Sequence, residues 1–339
     1  MESTALFPDI VGQSIAKKRM SFFLNGYNAS GIMPHLMFIA PKGCGKTTLA
    51  KAMAKSLKAE DSTKPHKTFL EINCSTIRNA KQFFNQVVIP HIHQKECTVL
   101  FDEASEMPKD VTMMLLTALN PNKDHRNSVT YEDYVADFDF RHQSFMFATT
   151  EAHQIFHALM DRCDRVDLEE YSYNQLGRIV KVNIGEEYTF EDGLLDEIAP
   201  ILRGNARAAQ KMANYITAYL GPKKRTDFTK ADWADLKDTL GILPLGLNRT
   251  ELLILRTLEE RGECSLTHLS AVTELSPQCL RRDFEMYLQK HHLMEIGTGG
   301  RAITKKGQKY LKDCPIPMPA VEKSKPIKIK LPPLVGDTK

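Results

Sequence analysis

The sequence predicts an α/β domain built on a parallel sheet, followed by an all-α domain and a small C-terminal domain of three helices and a β-ribbon. Three observations predict it. Short apolar runs alternate with helix-like segments through the first ~165 residues, and the next ~70 read as helix after helix with no convincing strand. Beyond Asn248, three short helices precede a ribbon centred on Gly297-Thr298-Gly299-Gly300.

Taken in order, Ile15 to Tyr27 is helix-like and Leu36 to Ala40 is an apolar run that fits a buried strand. Thr47 to Leu57 is an Ala- and Lys-rich helix, Thr68 to Asn73 a strand, Asn79 to Val88 a helix and Cys97 to Asp102 another apolar strand. Pro108 to Leu119 is helical, with Pro108 suited to a first turn, and Phe145 to Thr149 closes the set as a strand. Such alternation means parallel strands with helices over both faces. Gly221-Pro222 breaks the helical region, and Gly241 to Gly246 reads as a linker. The three later helices are Arg249 to Glu260, Ser265 to Thr273 and Ser276 to Lys290. Three helices and a ribbon make a winged-helix domain. The last 27 residues hold six prolines and five lysines and are expected to form a flexible tail. The expected domains are therefore 1–168, 169–243 and 244–312, with a tail over 313–339.

Composition bounds the class. Of 339 residues, 42% are hydrophobic and 26% charged, as in a soluble globular protein rather than a disordered one. No run approaches the ~20 apolar residues a membrane helix needs, and Met1-Glu2-Ser3-Thr4, with Pro8 and Asp9 close behind, is no secretory signal. The seven cysteines lack C-x-x-C spacing, and their odd number argues against a disulfide framework; a reduced, intracellular setting is expected. Net charge is only +3, but between Arg281 and Lys312 eight Lys or Arg face three acids. Such a cluster can contact phosphates, although as an isolated signal it is as often a solvated face.

The strongest local signal is Pro41-Lys42-Gly43-Cys44-Gly45-Lys46-Thr47-Thr48, set between a strand and a helix. Glycines let backbone N–H groups turn inward around phosphate oxygens, and the helix N-terminus adds its partial positive charge. Lys46 would reach the β- and γ-phosphates and Thr47 would hold magnesium; Ala40 stands where the motif's first glycine usually is. Thr98-Val99-Leu100-Phe101-Asp102-Glu103 completes the pattern: a buried strand delivers Asp102 to the magnesium, and Glu103 can polarise a water in line with the γ-phosphate. An ordinary strand ending in acids is common, but the two motifs in this order point to ATP hydrolysis. ATP and Mg2+ are the expected cofactors.

These motifs resemble the AAA+ ATPases, and that resemblance implies further roles. Ala148-Thr149-Thr150 looks like the sensor-1 position, with Thr149 helping to hold the attacking water. Ala158-Leu159-Met160-Asp161-Arg162-Cys163 is similar to the box carrying the arginine finger, making Arg162 the candidate and Arg165 the alternate. Gly204-Asn205-Ala206-Arg207 resembles sensor 2, with Arg207 facing the nucleotide. Within AAA+ proteins the chain resembles the RuvB family of Holliday-junction branch-migration motors over about residues 6 to 312. Phe7-Pro8-Asp9-Ile10-Val11-Gly12-Gln13 looks like that family's "Y-I-G-Q" lead, implying that Ile10 and Val11 lie against adenine. Leu293 to Ala302 is similar to its wing. The resemblance implies an AAA+ P-loop domain, an all-α lid and a winged helix, a homo-oligomeric ring, expected to be a hexamer, and duplex or four-way-junction DNA as partner. Arg281, Arg282, Arg301, Lys305 and Lys306 are the DNA-contacting candidates, Arg301 at the wing tip. Asn120 to Phe140 reads as an inserted hairpin, the family's dock for a junction-binding partner, with arms Thr130-Tyr131 and Val135 to Phe138. Asp102-Glu103-Ala104-Ser105 departs from the family's usual "DEIH". The implied setting is the cytoplasm of a bacterial cell, the divergence suggesting a phage-encoded version. Two other readings stay open: an AAA+ loader of the clamp-loader or helicase-loader kind, which the Asp-Arg-Cys box favours, and a nucleotide-regulated winged-helix switch that binds DNA or protein.

Overall fold

The computed structural model describes residues 7–59, 63–132 and 134–314. The expected tail, from residue 315 onward, and Asp133 in the inserted segment lie outside the described residues. Two compact units divide the chain, 1–238 and 239–339.

Strands β1 (Leu36–Ile39), β2 (Thr68–Asn73) and β3 (Cys97–Asp102) are followed by a hairpin of β4 (Arg126–Tyr131) and β5 (Tyr134–Asp139), then by β6 (Gln143–Thr149) and β7 (Asp164–Asp167). Apart from the hairpin they form one all-parallel sheet in the order β2-β3-β6-β1-β7. Strands β1 and β6 are buried along their whole length because helices cover both faces. Phe101 and Phe147, on adjacent strands, stack with centroids 4.9 Å apart. The edge strand β7 escapes a hydrophobicity reading: of Asp164-Arg165-Val166-Asp167 only Val166 is buried.

Helices α1 (Ser14–Ser30), α2 (Lys46–Ser56), α3 (Ala80–Phe83), α4 (Lys109–Ala118) and α5 (His157–Met160) accompany the sheet. The helix expected to end at Val88 continues from α3 as a wider π-helical stretch, Phe84–Ile92. Pro90 lies inside it and has no N–H to give, so the continuation does not keep the ordinary α ladder. The lid comprises α6 (Tyr173–Ile184), α7 (Leu194–Ile198), α8 (Ala206–Leu220) and α9 (Lys230–Leu240). Contrary to the strand-free expectation, it also holds a two-residue parallel pair, β8 (Thr189–Phe190) and β9 (Asp227–Phe228). A capping box fixes the start of α6: the Ser172 hydroxyl accepts from Gln175 N and the Gln175 side chain accepts from Ser172 N.

In the second unit α10 (Arg249–Arg261), α11 (Leu266–Thr273) and α12 (Pro277–Cys279) come first; a π-helical turn, Leu280–Glu285, carries α12 into α13 (Met286–Lys290). Strands β10 (Met294–Ile296) and β11 (Arg301–Ile303) pair antiparallel as the wing. A final helix, α14 (Lys305–Asp313), stands where sequence reasoning saw only basic residues. Leu252, Leu255, Leu258, Leu269, Leu280, Leu288 and Leu293 fill the core.

Candidate nucleotide site

The carboxyl ends of β1, β6 and β3 face one cleft, where parallel sheets place their ligands. From β1 the chain turns through Pro41 to Gly45 into α2. Gly43 and Gly45 hold φ of 79° and 94°, in the region that favours glycine. The N–H groups of α2 therefore open toward the cleft from a turn that no Cβ-bearing residue would adopt without strain. Lys46 Nζ donates to the Ala40 carbonyl at 2.9 Å and to the Pro41 carbonyl at 3.3 Å. Burial pulls the Lys46 ammonium below its ordinary pKa, and the carboxylates of Glu103 and Asp102 pull it back up.

From β3, Asp102 accepts the Thr47 hydroxyl at 3.0 Å, and its other oxygen accepts the Glu103 N–H at 3.0 Å. Glu103 has φ 52°, a left-handed conformation uncommon for a residue with a side chain. Residues held in that region concentrate at working sites, because the surroundings must offset the strain. From β6, the Thr149 hydroxyl donates to Ser105 Oγ at 3.2 Å and accepts from Glu151 N at 2.9 Å. Ile10, Val11, Gly43, Gly45, Lys46, Thr47, Thr48, Asp102, Glu103 and Arg207 all line the cleft. The glycine turn, the ammonium and the paired Thr47 and Asp102 oxygens form a donor set that fits a triphosphate with a hard cation.

The side chains of three expected residues do not line the cleft. The Cys44 side chain is buried in the apolar core beside the loop, which leaves only its backbone to meet a nucleotide. Thr149 is fully buried behind the cleft wall. Arg162 lies outside the cleft, donating to the Ala158 carbonyl at 2.9 Å and to Asn120 Oδ1 at 3.2 Å, while its buried Nε has no partner among the described residues. Arg165 is paired with Asp167 at 2.7 Å. Sequence reasoning missed Tyr171, Ile179, Val182, Asn183 and Gln210, which also line the cleft. Lid residues carry no motif signal, because what they contribute is position rather than charge.

In the second unit Arg281 and Arg282 are exposed on the π-helical turn, and Lys305 and Lys306 are exposed on the first turn of α14. Cations at a helix N-terminus oppose the dipole there by a few tenths of a kcal/mol each unless an anion sits nearby. Arg301 departs from expectation. Its guanidinium forks onto Glu285, Nε to Oε1 at 2.8 Å and the second nitrogen to Oε2 at 3.2 Å, with side-chain exposures of 13% and 4%. A group so engaged is a strut between the wing and the π-helical turn that leads into α13, not a free contact for phosphate. Replacing Arg301 by alanine strands the Glu285 charge in the interior and is expected to cost this unit about 3–5 kcal/mol, read as lost hydrogen-exchange protection over 294–303. The double variant Arg301→Ala with Glu285→Leu should recover much of it.

Comparison with known proteins fits this geometry. Residues 36–171 match the family described as ATPase family associated with various cellular activities (AAA), and residues 244–312 match the RuvB C-terminal winged helix domain. The chain joins an AAA ATPase domain to a RuvB-type winged helix and is a divergent likeness of RuvB. It is 24% identical over 314 residues to the Holliday junction branch migration complex subunit RuvB 2 of Synechococcus sp. (strain JA-3-3Ab), covering 89% of this chain and 81% of that protein. The RuvB subunit of Ehrlichia canis (strain Jake) is 25% identical over 336 residues, covering 91% and 92%. Among solved structures, a point mutant of Thermotoga maritima RuvB superposes with a TM-score of 0.71 at 22% identity, covering 89% of this chain and 96% of that one. The RuvB likeness extends through the lid, which neither family match covers. Among the described residues, no helix is long and apolar enough to cross a membrane.

Proposed function

We propose that this protein is a subunit of an ATP-driven motor that moves duplex DNA, with ATP hydrolysed where neighbouring copies meet in a ring. The observation that carries the reading is the joining, in one chain, of this cleft to a RuvB-type winged helix. In the cleft, Gly43, Cys44, Gly45 and Thr48 supply backbone to the phosphates, Lys46 supplies charge, and Ile10 and Val11 flank the base. Thr47 and Asp102 would hold magnesium, which neutralises phosphate charge. Glu103 takes up the proton of the attacking water, Thr149 supports that geometry through Ser105, and Arg207 approaches from the lid. Arg162 would serve the site of the adjacent copy. A finger acting in trans is the reason for a ring, and a hexamer is the proposed count.

Working domains of 1–168, 169–243 and a third that begins at 244 and reaches the end of α14 at Asp313 suit these roles. DNA enters because the relatives are named as branch migration subunits and because Arg281, Arg282, Lys305 and Lys306 are exposed cations. Contacts of this type bind phosphate and carry little sequence information, as a motor on any DNA requires. The hairpin of β4 and β5 exposes Tyr134 and Val135 beside its tip, apolar surface suited to a junction-binding partner protein. The proposed setting is the bacterial cytoplasm, with a phage genome as the source of so divergent a member.

ATP hydrolysis measured alone and with duplex, single-stranded or four-way-junction DNA at fixed salt tests the proposal. Strong stimulation by duplex or junction is the expected result. Turnover indifferent to every DNA would move the reading to a loader, and absence of turnover with intact nucleotide binding would move it to a switch. Removing Arg281 and Arg282 together should weaken duplex binding for all sequences alike and reduce the log–log salt slope by about 0.9 per lost phosphate contact.

A further inference from the structure

The lid meets the phosphate loop on its carbonyl side. At the head of α8, Asn205 Oδ1 caps Arg207 N at 2.8 Å and Ala208 N at 3.3 Å, and the Asn205 carbonyl accepts from Ala209 N at 3.1 Å. The first N–H of the helix, that of Ala206, donates instead to the Gly43 carbonyl at 2.9 Å. One residue along the loop, the Cys44 carbonyl accepts the Tyr171 hydroxyl at 3.1 Å and Gln13 Nε2 at 3.4 Å. Gln13 also grips the segment joining sheet and lid at both ends of one residue: its Nε2 donates to the Glu169 carbonyl at 2.7 Å and its Oε1 accepts from Glu169 N at 3.0 Å.

Three glycines make these approaches geometrically feasible. A Cβ on Gly43 would fall 2.0 Å from Asn205 Oδ1, one on Gly45 2.8 Å from the Tyr171 hydroxyl, and one on Gly12 2.8 Å from the Gln175 side chain at the start of α6. Two loop glycines therefore have a second duty. They shape the turn for phosphate on one side, and on the other they seat side chains of the lid and its connection.

A loop that wraps phosphate turns its N–H groups inward and its carbonyls outward. Here the two outward carbonyls, of Gly43 and Cys44, are those the lid side holds. Buried backbone acceptors and donors are costly to leave unmade, so reorientation of these peptide planes obliges the lid side to follow. Lys46 is the trigger at hand. Its ammonium now donates to Ala40 and Pro41, and those peptides lose that donor when it turns to phosphate.

We infer that Tyr171, assisted by Gln13, is the positioning residue through which phosphate occupancy of the loop sets the position of the lid, and with it Arg207. The inference rests on the nucleotide reading of the cleft and adds a route by which the site and the lid communicate.

Tyr171→Phe in the full chain is the test, since it removes one hydroxyl and keeps the ring. Hydrogen exchange over 165–176 and 203–210 is compared with ADP and with the slowly hydrolysed analogue ATPγS, beside steady-state ATP turnover. In the unsubstituted protein the two nucleotides should protect these segments differently. Tyr171→Phe should bind both nucleotides nearly as well, lose the difference, and show kcat lowered about tenfold with little change in KM, the order expected for one hydroxyl–carbonyl bond. Gln13→Glu, which removes a donor and keeps the shape, should act in the same direction and serves if the first variant does not fold. Undiminished kcat with the exchange difference intact in either folded variant overturns the relay. Loss of nucleotide binding at an unchanged melting temperature also overturns it, making Tyr171 a nucleotide contact. Should the unsubstituted protein bind neither nucleotide, the reading of the cleft falls first; binding without any exchange difference defeats the relay alone.

Discussion

Glu103→Gln is expected to reduce ATP turnover by roughly a hundred- to ten-thousand-fold, the range a positioned general base contributes, while ATP binding survives. Glutamine copies the shape of glutamate, and the left-handed backbone at 103 is fixed from outside the side chain. The Glu103 N–H donates to Asp102, and the Glu103 carbonyl accepts from Glu106 N at 2.9 Å. The conformation should therefore persist and only the basicity disappear. Lys46→Ala provides the contrast: it removes the buried ammonium and should abolish binding itself. Equilibrium binding of a fluorescent ATP analogue and single-turnover hydrolysis separate the two outcomes. Glu103→Gln turning over ATP at the unsubstituted rate would remove Glu103 from the proposed chemistry.

What could be read from the sequence follows from how each feature is encoded. Strands β1, β3 and β6 announce themselves because burial on both faces demands unbroken apolar runs, and the phosphate loop because its chemistry demands glycines beside Lys46. The edge strand β7 has one buried residue, which leaves no pattern. The final helix α14 is masked by its charge: Lys305, Lys306 and Lys309 dominate its sequence, although Tyr310 and Leu311 pack against the core. The partner of Arg301 is illegible for a related reason. A sequence gives an arginine's position in a ribbon but not the carboxylate of Glu285, 16 residues earlier, that receives it. The departure from the family's second acidic box also acquires a physical meaning: Ser105 bonds Thr149, so the ends of β3 and β6 are joined by hydroxyls. Gln13 and Tyr171 act through a backbone carbonyl, and no residue pattern reports a carbonyl.

Arg162→Ala should leave nucleotide binding intact and reduce hydrolysis by roughly a thousand- to a hundred-thousand-fold, the worth of an arginine finger. Among the described residues Arg162 donates to a carbonyl and to Asn120, and its buried Nε has no partner. That arrangement is costly for a guanidinium whose role is only local, and the residue stands outside the cleft of its own chain. A finger serving the neighbouring copy has a consequence that a strut does not. Arg162→Ala subunits keep Glu103, and Glu103→Gln subunits keep Arg162. Each alone should be inactive. Mixed in equal amounts, they should form rings in which some sites receive an intact Glu103 from one subunit and an intact Arg162 from the next, and turnover should return in part. Mixtures as inactive as their components would place Arg162 in the service of its own chain and remove the main reason for requiring a ring.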